Sequence, residues 1–136
     1  LAVDMPPSFQ SSAFNNMLGA ELISLANGQS EVLLRMRPEL GNRAGKLHGG
    51  AIFTLVDIAM GLACSDNHGF DQHSVTLECK INYLRAVSDG DVLCHAKVIH
   101  AGRRTLVLEA DVLQGELLVA KAQGTFAMIK ARNADD

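Results

Sequence analysis

A histidine followed by two glycines, and a single carboxylate further along, are the residues of this chain best suited to chemistry. They are His48, Gly49, Gly50 and Asp57, in the stretch NRAGKLHGGAIFTLVDIAMGLAC, residues 42–64. The residues on both sides of Asp57 are apolar. A partly buried carboxylate needs partners or a function, so Asp57 is either a tolerated surface residue or a reactive group.

The start of this segment has the features of a site for developing negative charge. Apolar residues recur after it at spacings of three and four, which predicts a long helix with one apolar stripe. The stripe consists of Ile52, Leu55, Val56, Ala59, Met60 and Ala63. The first turn of a helix has unpaired N–H groups and partial positive charge, so the Gly49 N–H could polarise a substrate carbonyl as an oxyanion hole. The alternative is that the two glycines only allow a tight entry into the helix.

The spacing of His48 and Asp57 limits how they can cooperate. The two residues are nine positions apart. A helix turns by 100° per residue, which places them on opposite sides and about 13.5 Å apart along the axis. If both serve one reaction, the site must therefore combine two copies of the chain.

Composition sets the broad class of the protein. The chain has 136 residues, of which 48% are hydrophobic and 20% are charged, which is typical of one globular domain. A net charge of -3 argues against nucleic acid as a partner. The three cysteines are widely spaced and are expected to be small buried residues in a reducing cytosol. No secretory leader is recognised, and Asp57 and several glycines interrupt the longest apolar run, so we expect a cytoplasmic protein without a membrane span.

The remaining pattern predicts a mixed α and β domain. A short helix is expected over residues 8–18, and a hairpin that turns at Asn27-Gly28 follows it. After the long helix come four strands with a period of two, and a polar tail over residues 130–136. The strands are expected near Val75–Tyr83, Val92–His100, Thr105–Leu113 and Leu117–Ile129. Short turns imply antiparallel strands, whose one apolar face would pack against the single long helix.

Two stretches resemble the PaaI-type acyl-CoA thioesterases. They are N-R-A-G-K-L-H-G-G-A-I-F-T-L-V-D, which begins at Asn42, and K-I-N-Y-L-R-A-V at 80–87. The order of elements is similar to that of the hotdog fold, an α+β fold in which a curved antiparallel sheet of about six strands wraps one long central helix. The resemblance covers roughly Gly19 to Lys130, and it implies a single hotdog domain for residues 1–136.

The resemblance implies a function and a set of roles. Hotdog dimers form two equivalent sites at the subunit interface, with the helix start from one subunit and the Asp from the other, and dimers often pair into tetramers. Acyl-CoA would be hydrolysed, with the carbonyl polarised by the Gly49 N–H. Asp57 would act either as a general base on water or as a nucleophile that forms an acyl anhydride.

Three further residues are expected to orient the reacting groups. Asn42 either holds its loop or contacts the acyl carbonyl. His48 either orients the oxyanion region or the partner's Asp, or is only a structural residue at the helix start. Thr76 is placed by simple alternation on the strand face of Glu78 and Lys80, and the resemblance gives it a role in orienting the water or the carboxylate.

Coenzyme A is anionic, so basic turn residues are expected to bind its phosphates. Arg103 and Arg104 are the first candidates and Arg85 is the next, although each could simply be a solvated charge. Coenzyme A is part of the substrate, and no separate cofactor is expected. The other histidines have no metal-ligand spacing, so no metal site is predicted; they are His68, His73, His95 and His100.

Two alternative functions fit part of the pattern. A hydratase or dehydratase on the same fold would act on acyl thioesters, but such enzymes usually have a histidine base. A non-catalytic acyl-CoA-binding module would hold coenzyme A without releasing it. Asp57 at this offset from His48-Gly49-Gly50 favours hydrolysis.

Overall fold

The structure is a computed structural model that describes residues 12–129. Its elements are α1 (Ala13–Leu18), β1 (Glu21–Ala26), β2 (Gln29–Arg35), a 3-10 turn (Pro38–Leu40), α2 (Gly49–His68), β3 (His73–Tyr83), β4 (Asp91–Ala101), β5 (Thr105–Gln114) and β6 (Leu117–Ile129). The helix predicted over residues 8–18 ends at Leu18 but starts only at Ala13, because Ser12 is its N-cap and has extended backbone angles. Residues 8–11 and the predicted tail over 130–136 lie outside the described residues.

One antiparallel sheet carries the whole fold. Its six strands follow the order β1-β2-β4-β5-β6-β3, so β1 and β3 are the two edges. The predicted hairpin is confirmed: β1 and β2 meet at Asn27 and Gly28, whose φ angles are 56° and 69°. Two consecutive residues with positive φ are what a tight turn of the I′ type requires. Helix α2 packs against the sheet, which confirms the α+β hotdog architecture.

The core lies between α2 and the sheet. All six residues of the predicted helical stripe are buried, and Leu55, Val56, Ala59 and Met60 are completely so. Every second residue of β5 points at the helix, as the alternation predicts; these are Leu106, Leu108, Ala110 and Val112. The outer face of the sheet is polar and carries ion pairs such as Lys121 with Asp111 at 2.8 Å. The sheet thus has one apolar face, and α2 is its cover.

The sequence pattern predicted no apolar segment with the length of a membrane span, but helix α2 is such a segment. It has 20 residues and a mean hydropathy of 1.3 over an 18-residue window, which is enough to cross a membrane by length and composition. Half of that window is buried inside the protein. The core helix of a globular domain meets the same two criteria, and the burial of its apolar stripe against the sheet accounts for them here.

Two hydrogen bonds fasten α2 to the β1–β2 hairpin. The Ser30 hydroxyl donates to the Ala59 carbonyl at 2.6 Å. The Gly28 N–H donates to Asp66 Oδ2 at 2.8 Å, near the end of the helix. Within residues 12–129, Ser30 is the only polar side chain that is fully buried. A buried hydroxyl needs a partner, and the Ala59 carbonyl satisfies it.

A bulge in β3 changes which side chains face the helix. Thr76 pairs with the buried Phe126, whereas Glu78 pairs with Thr125, so Leu77 is an extra residue in the strand. Thr76 therefore faces the helix. Glu78 faces outward, where its carboxylate accepts a hydrogen bond from Thr125 Oγ1 at 2.7 Å. The prediction that Thr76 and Glu78 share a face is wrong, because strict alternation takes no account of a bulge.

Candidate active site

The start of α2 is built by a tightly bonded loop. Asn42 Oδ1 accepts hydrogen bonds from the N–H groups of Ala44 at 2.9 Å and Lys46 at 3.0 Å. The Asn42 N–H donates to the Lys46 carbonyl at 2.7 Å, and the His48 N–H donates to Leu40 at 2.8 Å. Asn42 thus holds the loop through its side-chain oxygen. Its predicted contact with the acyl carbonyl stays a prediction.

His48 caps the helix with its ring. Nδ1 accepts a hydrogen bond from the Gly50 N–H at 2.7 Å, and His48 is the N-cap residue. An imidazole nitrogen here takes the place of the usual Ser, Thr, Asp or Asn oxygen. This geometry matches the structural alternative for His48, and its role in orienting the reaction stays a prediction.

The Gly49 N–H is the free donor of this first turn. Among residues 12–129 it has no hydrogen-bond partner, whereas the N–H groups of His48, Gly50 and Ala51 are all bonded. A free N–H at the positive end of a 20-residue helix suits an oxygen that gains negative charge. The oxyanion role of Gly49 stays a prediction, with which this free N–H is compatible.

Tyr83 contacts Gly49 from β3, and the sequence pattern did not predict this contact. Its hydroxyl donates to the Gly49 carbonyl at 2.9 Å. A Cβ added at Gly49 would lie 3.3 Å from the Tyr83 Cζ, which is a tight contact. Burial, and then the neighbouring Cys79, raises the pKa of Tyr83 above its ordinary value, at which the hydroxyl is already a protonated donor at neutral pH. The stretch K-I-N-Y-L-R-A-V contains this residue, but alternation alone gave no sign of its contact.

Gly49 and Tyr83 open into one cavity of about 390 Å³. Its lining includes Asn42, Lys46, Gly49, Tyr83 and Arg85. The cavity combines two cationic side chains with the free helix N–H, so it favours an anionic or polarised ligand.

Asp57 faces a second cavity, two helical turns further along α2. It is partly buried, and its Oδ1 accepts a hydrogen bond from Thr76 Oγ1 at 2.7 Å. Oδ2 has no hydrogen-bond partner among residues 12–129. The cavity measures about 320 Å³, and its lining also includes His73, Phe70 and Gln72. One carboxylate oxygen is thus held by β3, while the other is free to act on a ligand.

Two thiols near Asp57 are not activated. Burial raises the pKa of Cys64 to about 12, against a lowering hydrogen bond with Ser74, and the Asp57 charge adds to the rise. Burial, and then the charges of Asp57 and Glu78, also raises the pKa of Cys79. Both thiols are protonated at neutral pH, so neither is a nucleophile comparable to the carboxylate.

The two cavities share no lining residue. Within one chain, Gly49 and Asp57 therefore belong to separate openings. Thr76 is hydrogen-bonded to Asp57. Asn42 lines the same cavity as Gly49, and His48 is bonded to Gly50 beside it. In the described part of the chain no group of three or more His, Cys, Asp or Glu residues is placed to hold a metal ion.

The three candidate arginines lie at opposite ends of β3. Arg85 follows the strand and lines the Gly49 cavity. The Arg104 carbonyl accepts a hydrogen bond from the Met128 N–H at 2.8 Å, and Met128 pairs with Ser74 at the start of β3. One chain does not bring Arg103 and Arg104 to Arg85.

Comparisons with known proteins identify the family. The model of the thioesterase superfamily matches residues 44–121. A solved structure of a conserved protein from Pseudomonas aeruginosa is 58% identical, with a TM-score of 0.88, and the match covers 90% of this chain and 98% of that one. The chain belongs to the thioesterase superfamily.

Two named relatives sharpen this assignment. The acyl-coenzyme A thioesterase PaaI of Escherichia coli is 28% identical over 126 residues, which are 92% of this chain and 84% of that protein. Its solved structure matches with a TM-score of 0.85, covering 91% of this chain and 89% of that one. A 1,4-dihydroxy-2-naphthoyl-CoA hydrolase of Listeria monocytogenes is 28% identical over 116 residues, 85% of this chain and 94% of that protein. The prediction of a PaaI-type hotdog enzyme is confirmed, and the protein is a thioester hydrolase.

Proposed function

We propose that this protein hydrolyses acyl-CoA thioesters to a free acid and coenzyme A. The observation that carries the proposal is the Asp57 carboxylate, which Thr76 fixes at Oδ1 and which keeps Oδ2 free toward a cavity. The free Gly49 N–H supplies the complementary group, a donor for the thioester carbonyl oxygen. The names of the two relatives, a thioesterase and a CoA hydrolase, support the substrate class.

Two chemical routes would convert the thioester and one water to the same products, a free acid and coenzyme A. In the first, Asp57 takes a proton from water, the water oxygen bonds to the carbonyl carbon, and the C–S bond breaks. In the second, an Asp57 oxygen attacks the carbonyl carbon, coenzyme A leaves, and water then hydrolyses the acyl anhydride. In the first route the departing thiolate takes the proton that Asp57 accepted, and in the second it takes a proton from the water that hydrolyses the anhydride. Each route consumes one water for each acid released.

The reacting groups come from two subunits in this proposal. Gly49 and Asp57 of one chain open into different cavities, so the Gly49 of one chain needs the Asp57 of another. Strand β3 is an unpaired edge, and Val75 and Leu77 on it are 44% and 57% exposed. An exposed edge strand with apolar side chains is suited to pairing with a second copy. We therefore propose a homodimer with two equivalent sites.

A two-fold axis at this edge would also account for the arginines. Two β3 strands related by such an axis run antiparallel, so the start of one lies beside the end of the other. The Arg103–Arg104 turn, next to the start of β3, would then approach Arg85 and Lys46 of the other chain. Together these cations would bind the phosphates of coenzyme A.

Pairing of dimers into a homotetramer in the cytoplasm completes the proposal. Phe14, Met17 and Phe70 are 55%, 62% and 47% exposed. Apolar side chains of this size at the surface support an interface besides the one at β3.

Thiol release tests the proposed function. The purified chain is mixed with phenylacetyl-, hydroxybenzoyl-, hexanoyl- and decanoyl-CoA, and free coenzyme A is followed with a thiol-reactive dye. We expect turnover that discriminates among the four acyl groups. Enzyme without substrate is the control for its own thiols, of which Cys64 and Cys94 are buried. Absence of release from a sample that binds coenzyme A would contradict the proposal and favour a binding module.

A further inference from the structure

Tyr83 contacts the residue that is proposed to polarise the substrate. The side chain is not part of the core, because Tyr83 is 49% exposed. Its hydroxyl donates to the Gly49 carbonyl at 2.9 Å, and its ring atoms lie 3.3 to 3.4 Å from the place where a Cβ of residue 49 would stand. A half-exposed ring on a bare backbone buries little apolar surface. Both of these contacts are with the backbone of Gly49.

We infer that Tyr83 is a positioning residue that fixes the direction of the Gly49 N–H, an inference that rests on the proposed function of this N–H. Glycine has more backbone freedom than any other residue, so a glycine donor needs restraint from its surroundings. The Tyr83 hydroxyl and ring restrain Gly49 from the side of β3. The His48 ring restrains the same peptide group from its other end, through the Gly50 N–H.

Because of the bulge at Leu77, β3 can contact both Gly49, through Tyr83, and Asp57, through Thr76. Thr76 and Tyr83 are seven residues apart, and an odd separation in a regular strand places two side chains on opposite faces. The extra residue at Leu77 reverses this relation, so that both side chains reach α2. The end of β3 thereby contacts Gly49, the proposed donor, and the beginning of β3 contacts Asp57, the proposed base.

The substitution Tyr83→Phe removes the hydroxyl and keeps the ring. We expect kcat for the best acyl-CoA to fall about fivefold to tenfold, because one hydrogen bond that orients the donor is lost. KM is expected to stay within about twofold, because the substrate does not depend on this bond for binding. Thr125→Val is the matched control, since it removes one side-chain hydrogen bond to β3 on the outer face. It should leave kcat unchanged.

A double-mutant cycle with Gly49→Ala tests the contact of the ring. In the wild-type background the new Cβ meets Tyr83 at 3.3 Å, and we expect kcat to fall severalfold. In a Tyr83→Ala background the same change should cause no further loss, because the obstruction is gone. Equal losses in both backgrounds would show that Gly49 is required for another reason and would overturn the inference.

The outcomes separate the inference from the function on which it rests. Wild-type enzyme that hydrolyses acyl-CoA, with a Tyr83→Phe variant of unchanged kcat, would overturn the role of Tyr83 alone. A Tyr83→Phe variant whose kcat falls only together with its melting temperature, as a weakened fold would give, would also overturn it. No turnover by the wild type would overturn the proposed function itself.

Discussion

The first and third turns of α2 each carry a proposed catalytic group, but the two groups are held by different means. The helix start that carries Gly49 is built mainly by residues close to it in sequence, since the His48 ring and the Asn42 loop are bonded within a few residues, and Tyr83 adds one contact from β3. Asp57 is held by Thr76, which is 19 residues away on the edge strand of the sheet. Local sequence thus builds the helix start that carries the donor, whereas the support of the carboxylate depends on the register of the sheet. The contrast separates what a short motif specifies from what only the assembled fold supplies.

The largest expected effect is at the third turn. Asp57→Asn keeps the size of the side chain and removes its charge, so the variant should fold but lose the base or nucleophile. We expect kcat to fall by about 100-fold to 10,000-fold. Thiol release measures this, and circular dichroism with thermal unfolding checks the fold. Full activity in a folded variant would remove Asp57 from the mechanism.

The matching test at the first turn deletes the donor itself. Gly49→Pro removes the N–H, and proline is well tolerated as the first residue of a helix. We expect kcat to fall by about 100-fold to 1,000-fold, the usual cost of one oxyanion donor. Gly49→Ala is the control, because it adds the same Cβ beside Tyr83 but keeps the N–H. Equal losses in the two variants would assign the effect to crowding rather than to the donor.

Mixing the two inactive variants tests whether the turns act across subunits. A dimer of Asp57→Asn with Gly49→Pro has one site in which both groups are intact and one in which both are altered. Random exchange of subunits after unfolding and refolding together should restore about one quarter of the wild-type activity. Each variant refolded alone is the control. A site formed within one chain would give no recovery at any mixing ratio.

A smaller effect is expected where the third turn meets the strand. Thr76→Val keeps the shape of the side chain and removes the donor to Asp57 Oδ1. We expect kcat to fall about tenfold with little change in KM, because a charge-assisted hydrogen bond that orients the carboxylate is lost. Steady-state kinetics on the best acyl-CoA measure the split. If kcat and KM both equal those of the wild type, Thr76 does not orient Asp57.

Residues that act through local patterns were predictable from the sequence. The turn at Asn27-Gly28, the buried stripe of α2 and the inner face of β5 follow from periodicity and turn chemistry. The nine-residue spacing of His48 and Asp57 also predicts that one chain keeps the helix start apart from the carboxylate, and the cavities at Gly49 and at Asp57 are separate. These properties depend on neighbours within a few positions.

Residues that act through sheet register were not predictable in the same way. The bulge at Leu77 has no local marker, because leucine is an ordinary strand residue. Thr76 was therefore assigned to the wrong face, and the contact of Tyr83 with Gly49 was missed. Such contacts depend on how β3 pairs with β6, which is set by the whole sheet.

The hydrogen bond from Ser30 to the Ala59 carbonyl has a consequence for the angular setting of α2. A slip of the helix by one residue along the sheet would rotate it by about 100°. Asp57 would then lose its bond with Thr76. Such a slip would leave a fully buried hydroxyl without its acceptor, which is costly in the protein interior. The buried Ser30 on β2 thereby helps to fix the rotation of α2 about its axis, and with it the side of the helix on which Asp57 lies.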